Sequence, residues 1–454
     1  VGRKRIMASQ ILATGQNLIR DVGTGPDVSV LRPQSFAAMT GEEVSAVMAL
    51  ADTHPTKALF LAKLAAGTAV SGQSRESQRF FENRVSPRFV GVGDSYAQGA
   101  GATGGNGYLQ LLATEFASQG DWSNYGWAGY PMTKYSSAPL YSGTGAATLD
   151  KTTVTKDTVS LCMIGLNDLR GVGQAGGTDQ NGCGPDPSKF FSLRSKVQAL
   201  ATALLIPETQ RVRMRDQAGT QLNPAVTFTG SWVQTLNGNN SFVYTTGSGD
   251  TASGTTAVGN LLVIRFGRGS AETTNYFDLS VDGVAQPQIW HRAAYDGWAQ
   301  DCVILRLPTT KAHTFTITAR LPSGGACVLE SVDCVSSGHN VGGTLIYGVP
   351  LYLNDGANVG WGLTGVTANS ASANSATGAT AWLYGDGASD RFEQAVDLAL
   401  AELVSLGFNI IKADVKTGWQ KNVMLNADTV HPNDIGHQHI KNAFARKLRQ
   451  FLLL

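Results

Sequence analysis

From Arg88 the chain alternates between short apolar runs and amphipathic ones. "RFVGVG" is apolar enough to be a strand buried on both faces, and "NGYLQLLATEFAS" carries its apolar residues at helical spacing. The strand "TVSLCMIG" and the helix "KFFSLRSKVQALATALL" repeat that rhythm. Between about Arg211 and Ser337 the period drops to two. Runs such as "AVTFTGSWVQTL", "YFDLSVDG" and "HTFTITARL" are separated by Gly, Asn, Ser and Thr, which predicts an all-β sandwich of roughly seven or more strands. The buried-strand pattern returns at "GGTLIYGVP". After the loop "NSASANSATGAT" come the helix "RFEQAVDLALAELVSL", the strand "FNIIKADV" and a last helix from Asn433. Alternating β and α on both sides of a β block predict one parallel-sheet α/β domain with a sandwich inserted in it.

Residues before Arg88 follow another pattern. "TGEEVSAVMALAD" places Thr40 and Glu43 at capping-box spacing, and "TKALFLAKLAAGTA" reads as a second short helix. The expected organisation is a helical linker or docking segment over 1–86, a parallel-sheet domain in two parts over 87–208 and 341–454, and the sandwich over 209–340.

Composition narrows the partners. Hydrophobic residues are 42% and charged residues 15%, so the surface is polar mainly through Ser, Thr, Asn and Gly. With a net charge of +1 and no basic block beyond "GRKR", nucleic acid is not expected as a partner, whereas an uncharged polysaccharide is compatible. No apolar run has the roughly 20 residues of a membrane helix, and none reads as a signal peptide. Five scattered cysteines give no disulfide framework, so buried free thiols are expected. Cys327 and Cys334, seven apart in one strand, would face opposite sides.

Chemistry gathers around "RFVGVGDSYAQGAG". Ser95 stands where the first parallel strand ends and a helix begins, where doubly wound sheets bind ligands. Alone, Gly-Asp-Ser is equally an ordinary turn. A nucleophile needs a base, a group to orient it and donors for an oxyanion. "DTVHPNDIGHQHI" sets Asp428 and His431 three apart, which lets one loop present an imidazole with a carboxylate at its Nδ1. "MIGLNDLRG" puts Asn167 just past a neighbouring strand, where its amide can donate to an oxyanion or cap the next segment. "NYGWAGYP" offers Gly129 as a further backbone N–H donor. His437 and His439, two apart on a helix, diverge and suit surface or packing roles rather than a metal site.

These stretches resemble the SGNH, or GDSL-type, hydrolases. The family's blocks correspond to Gly93-Asp94-Ser95, to Asn124 with Gly129, to Gly165 through Asp168, and to Asp428 through Pro432, in the family's order. Tyr96 stands where the family has leucine. The resemblance covers about 87–207 and 341–454 and implies a flavodoxin-like three-layer α/β/α fold. It also implies Ser95 as nucleophile, His431 as general base and acid, and Asp428 as its orienter. The oxyanion hole would be the Ser95 and Gly129 N–H groups with the Asn167 side chain. Family members hydrolyse esters through an acyl-enzyme without metal or organic cofactor.

The inserted sandwich bears on the substrate. Its closing run "CVLESVDCV" looks like the last strands of carbohydrate-binding jelly rolls, and "QIWHRAAYDGW" offers Trp290, Tyr295 and Trp298 for stacking on sugars, although such aromatics also pack as core or rim. Together these favour a polysaccharide O-deacetylase acting on an O-acetylated bacterial surface polysaccharide. The arrangement looks like receptor-modifying phage tailspikes, which implies a virion or extracellular location, with a homotrimer as the assembly to test. A secreted bacterial carbohydrate esterase, an acyltransferase and a non-catalytic glycan-binding adhesin are the alternatives. Since the insertion supplies no catalytic block, its replacement by a short Gly/Ser linker is expected to leave a folded esterase, provided it covers no large apolar face.

Overall fold

The computed structural model describes residues 20–21, 26–27, 87–126, 128, 132, 154–170, 193–215, 221–234, 242–268, 274–290, 299–338, 341–353, 371–373, 380–382 and 386–452. The helices expected near Thr40 and Thr56 lie outside these residues, as do Gly129, Tyr295 and Trp298. The chain divides into two units, Val1–Pro87 with Ala445–Leu454, and Arg88–Phe444. In the first, Arg20–Asp21 pairs antiparallel with Pro26–Asp27. The second holds two larger sheets.

Five strands, all parallel, make one of them: β1 (Arg88–Gly93), β2 (Asp121–Asn124), β3 (Thr158–Met163), β4 (Thr344–Gly348) and β5 (Asn409–Lys412). Their spatial order is β2-β1-β3-β4-β5. That order is the one of flavodoxin-like doubly wound sheets. The inner strands β3 and β4 are buried at every position, which is why they read as unbroken apolar runs. Around the sheet run α1 (Ser95–Gln98), α2 (Tyr108–Glu115), α3 (Leu166–Arg170), α4 (Leu193–Leu205) and α5 (Asp386–Ser405), and a last helix, α6, spans Asp434–Leu452. Among the described residues, no helix is long and apolar enough to cross a membrane.

All strands of the antiparallel sheet lie between α4 and β4, so the β block does interrupt the parallel one. Among the described residues, ten strands join in one hydrogen-bonded network around two long ones, Thr251–Arg268 and Ala299–Arg320. Register shifts between Thr255 and Gly259 and again before Leu261 divide the long pair. On one side Thr251–Ser253 pairs with Thr227–Thr229; on the other, Leu261–Gly267 pairs with Val328–Val335. Alternate side chains from both halves, Phe277, Leu279, Phe315 and Ile317 with Leu262, Ile264, Leu329 and Val332, fill one core. An α/β domain plus a β-sandwich is therefore what the period change encoded.

Cys327 and Cys334 depart from expectation. Both sit in that core, not on opposite faces. Arg265 pairs with Ser331 and the next residue, Phe266, with Leu329, so Glu330 is an extra residue in its strand. A bulge of one residue flips the alternation, and seven positions then return to the same side. Cys162, Cys302, Cys327 and Cys334 are buried free thiols, as expected.

The sandwich is not an appendage. The strand Leu261–Phe266 is buried on both faces: Leu262, Ile264 and Phe266 point into the sandwich core, while Leu261, Val263 and Arg265 are also sealed from solvent. Arg265 reaches α4, where Nη1 donates to the Ala199 carbonyl at 2.5 Å and Nη2 to Thr202 Oγ1 at 2.6 Å. Lys196 Nζ and Ser195 Oγ of α4 both donate to Asp301 Oδ1. The expectation that the insertion can be cut out fails its own proviso here, because a buried face joins it to the parallel-sheet domain.

Candidate active site

The switch point of the sheet lies between β1 and β3, since the strand order runs outward from them in opposite directions. At the carboxyl end of β1, Gly93 passes so close to β3 that a Cβ there would lie 2.2 Å from the Met163 carbonyl oxygen. Asp94 caps α1, its carboxylate accepting the Tyr96 N–H at 3.1 Å. Ser95 is thereby fixed as the first residue of α1, where its own N–H has no intrahelical acceptor. At the end of β3, Gly165 turns the chain into α3 and leaves the buried Asn167 in that helix's first turn.

The third element comes from the far end of the chain. His431 Nε2 lies 3.0 Å from Ser95 Oγ, and His431 Nδ1 lies 2.6 Å from Asp428 Oδ2. The carboxylate can only accept, so Nδ1 carries the proton and Nε2 presents its lone pair to the serine hydroxyl. Asp428 Oδ1 accepts from the N–H groups of Val430 and His431 at 3.0 and 2.9 Å. Burial works to raise the Asp428 carboxyl, but the hydrogen bonds from the His431 side chain and from those two N–H groups hold it below its ordinary value. The site is open, with the His431 side chain 29% and the Asp428 side chain 48% exposed.

The loop bearing these two residues is tightly specified. Thr429 takes φ 63°, a left-handed conformation strained for a β-branched residue. The Asn426 N–H donates to the His431 carbonyl at 2.7 Å, and Asn433 Nδ2 donates to the Val423 and Leu425 carbonyls. Tyr96, adjacent to the serine, donates its hydroxyl to the Val430 carbonyl at 2.7 Å and lies edge-on to the His431 ring. The residue after Ser95 thus clasps the loop that carries His431 and Asp428. Gly101 (φ 88°) lets its own loop pass within Cβ distance of Pro432 and His431.

Beneath Ser95 sit two buried carboxyls that the sequence did not single out for chemistry. Burial pushes Asp94 up to about 7, against the hydrogen bond from Tyr96 and with added repulsion from Asp168. Burial likewise pushes Asp168 up to about 7, against the hydrogen bond from the Met132 N–H. Asp168 takes that N–H on both oxygens, at 3.2 and 3.0 Å, and so ties the chain that follows β2 to α3. From the other side, Asn124 Nδ2 donates to the Ala97 carbonyl, and Gln98 Oε1 accepts from the Ala128 N–H. Ala128 is thus tied to α1, and Met132 to α3.

His437 is one turn into α6 and fully buried. Its Nδ1 accepts from the Tyr108 N–H at 3.3 Å and its Nε2 donates to the Ala100 carbonyl at 3.0 Å, which fixes the neutral tautomer. Burial, outweighing the Ala100 hydrogen bond and Asp434, lowers its pKa below 6.5. The unfolded chain therefore takes up a proton at a pH where the folded protein does not, and stability falls as pH drops below 6.5. His437→Gln, which does not titrate, should be less stable than the wild type at about pH 7.5, with a gap that narrows at about pH 5.5 in urea unfolding. A gap of constant size would show that His437 does not titrate in this way. His439 Nε2 donates to the Val415 carbonyl at 3.1 Å and its ring lies edge-on to Trp419, a packing role as expected.

The structure thus brings Ser95, His431 and Asp428 into hydrogen-bonded series, with Asn167 at the end of the next strand. Trp290 lies apart, on the antiparallel sheet, 41% exposed. No group of three or more His, Cys, Asp or Glu among the described residues is placed to hold a metal ion. No role was assigned from sequence to Asp94, Tyr96 or Asp168, although all three lie within the quoted motifs; His437 has the packing role expected of it.

No protein-family model matches the chain, and no curated protein matches it. Solved structures do. A member of the lipolytic protein G-D-S-L family from Veillonella parvula is 10% identical, covering 79% of this chain and 96% of that one, with a TM-score of 0.31. A two-domain esterase active on acetylated mannans is 10% identical over 59% of this chain and 98% of that one, with a TM-score of 0.29. The CBM36-1 domain of a multidomain xylanase from the hindgut metagenome of Trinervitermes trinervoides is 13% identical over 27% of this chain and 92% of its own, with a TM-score of 0.21. Scores this low carry no weight for chemistry, which is read from the side chains. What those side chains form is a serine–histidine–aspartate series at the switch point of a parallel 2-1-3-4-5 sheet.

Proposed function

We propose that this chain is a serine esterase of the SGNH type that removes O-acetyl groups from a polysaccharide. One observation carries the esterase reading: Ser95 Oγ, His431 Nε2, His431 Nδ1 and Asp428 Oδ2 are in series at 3.0 and 2.6 Å. Ser95 Oγ attacks the ester carbonyl as its proton passes to His431 Nε2, and Asp428 stabilises the imidazolium that forms. The carbonyl oxygen becomes an oxyanion, for which the Ser95 N–H, the Asn167 amide and the Gly129 N–H are the proposed donors. His431 then returns the proton to the departing sugar alkoxide. Water, activated by the same imidazole, releases acetate from Ser95.

The openness of the His431–Asp428 end favours an ester carried on a large, solvated polymer. The net charge of only +1 is compatible with an uncharged one. A bacterial surface polysaccharide, met either by a phage tailspike or tail fibre or by a secreted enzyme, is the setting that the sequence resemblance supplies.

The test is acetate release from a panel of O-acetylated polysaccharides, with Ser95→Ala as control. Release by the wild type alone supports the reading; no release from any member, with small esters still cleaved, overturns the polysaccharide part. Asn167→Ala should lower kcat by on the order of 10²–10³ with KM nearly unchanged, as for a donor that serves mainly the transition state. A change confined to KM would place Asn167 in substrate binding instead.

A further inference from the structure

The outward face of the sandwich carries an aromatic pair that neither core nor catalysis uses. In the strand Tyr276–Val281, Phe277, Leu279 and Val281 point into the core, and Tyr276, Asp278 and Ser280 point away from it. Tyr276 is paired directly with Trp290 on one side and Arg320 on the other, so the three side chains form one row across three strands. The Tyr276 and Trp290 rings lie 4.6 Å apart between centroids, tilted by 32°, and Trp290 remains 41% exposed. Its neighbour Ile289 is buried. Trp290 thus extends the row beyond the core and not into it.

The polar groups beside this pair are held in place. Asp278 accepts from Arg320 Nε at 2.6 Å and from Gln288 Nε2 at 2.9 Å. These two charges neutralise each other. The next rows on the same face present hydroxyls, where Ser253 Oγ donates to Thr316 Oγ1 at 3.1 Å. An exposed indole packed against a phenol is rigid, amphipathic and already ordered, so little conformational entropy is lost when a flat, hydroxylated ring packs on it. Fixed amide, carboxylate and guanidinium edges next to it match sugar hydroxyls, which both donate and accept.

We infer that the Trp290–Tyr276 pair, edged by Asp278, Arg320 and Gln288, is a binding site for an uncharged polysaccharide chain. This rests on the reading of the protein as a polysaccharide esterase and assigns the sandwich its own contact with the polymer. The site lies outside the catalytic constellation, so it serves retention on the polymer and not the chemical step.

Native gel electrophoresis through a panel of uncharged O-acetylated bacterial surface polysaccharides and their alkali-deacetylated forms tests it. The wild type should be retarded by at least one of them. Trp290→Ala should weaken the apparent affinity at least tenfold, and Trp290→Tyr should retain most of it. Gln288→Ala, an exposed position that cannot unfold the sandwich, should weaken it measurably. Hydrolysis of p-nitrophenyl acetate should stay within about twofold of wild type in all three. Unchanged retardation of Trp290→Ala, or no retardation of the wild type by any of the polymers, overturns the inference. Acetate release measured on the same polymers separates the two failures. Release without retardation removes only this site, whereas neither release nor retardation removes the esterase-on-polysaccharide reading as well.

Discussion

Ser95→Ala should reduce hydrolysis of p-nitrophenyl acetate by about 10⁴-fold or more, with the fold unchanged by circular dichroism. The side chain is a single hydroxyl at a strand end. Its removal takes away the atom that forms the acyl-enzyme and leaves only binding and oxyanion stabilisation. A loss of that size is about 5 kcal/mol of transition-state stabilisation, far more than one deleted hydrogen bond supplies. His431→Ala should be nearly as damaging, because triad members act as a unit and Nε2 is the proton acceptor 3.0 Å away. Asp428→Ala should be milder. Its side chain is 48% exposed, so water can replace part of what the carboxylate does for the imidazole. If Ser95→Ala kept more than about a few per cent of activity, the hydrolysis would belong to another residue.

Ser95, Asn167, Asp428 and His431 stood out because each sits where a local pattern changes: Ser95 and Asn167 where apolar strands stop, Asp428 and His431 just before a helix. Apolar runs likewise gave away β3 and β4, which are buried on both faces. What stayed hidden depends on distant partners. The hydroxyl of Tyr96 meets a carbonyl 334 positions away, and the Nδ1 of His437 meets an N–H 329 positions away. Neither leaves a local signature. The cysteines failed for a different reason: one extra residue at Glu330 breaks the period of two, and no composition marks a bulge in a continuous apolar run. The run "NLLVIRFG" did hold a clue. Its length without alternation is that of a strand covered on both sides, and the second cover is the parallel-sheet domain.

That second cover sets the other large effect. Replacement of residues 209–340 by a short Gly/Ser linker should give an aggregating or unfolded product, with hydrolysis of p-nitrophenyl acetate lost along with the fold. The reason lies in α4, which is buried on every side from Lys196 to Leu205. A helix sealed all round must be covered all round. One side lies against the parallel sheet, with Val197, Leu200 and Leu204 beside Leu345 and Tyr347. Another meets α5, where Gln198 donates to the Ala399 carbonyl. The sandwich closes the third through Arg265 and Asp301. Its removal would expose Ala199 and Thr202 and leave Lys196 without its carboxylate. The same contact can be probed without deletion. Arg265 and Asp333 are both fully buried and 3.0 Å apart, so Arg265→Ala strands a carboxylate and should destabilise the protein by about 3–5 kcal/mol in urea unfolding. Arg211, 3.4 Å from the same carboxylate, would soften that loss, which places the result toward the lower end. A soluble, cooperatively folding deletion variant with near wild-type activity on small esters would show that the hydrolase domain carries its own stability. An Arg265→Ala variant as stable as the wild type would show that the buried charges only fill the interface.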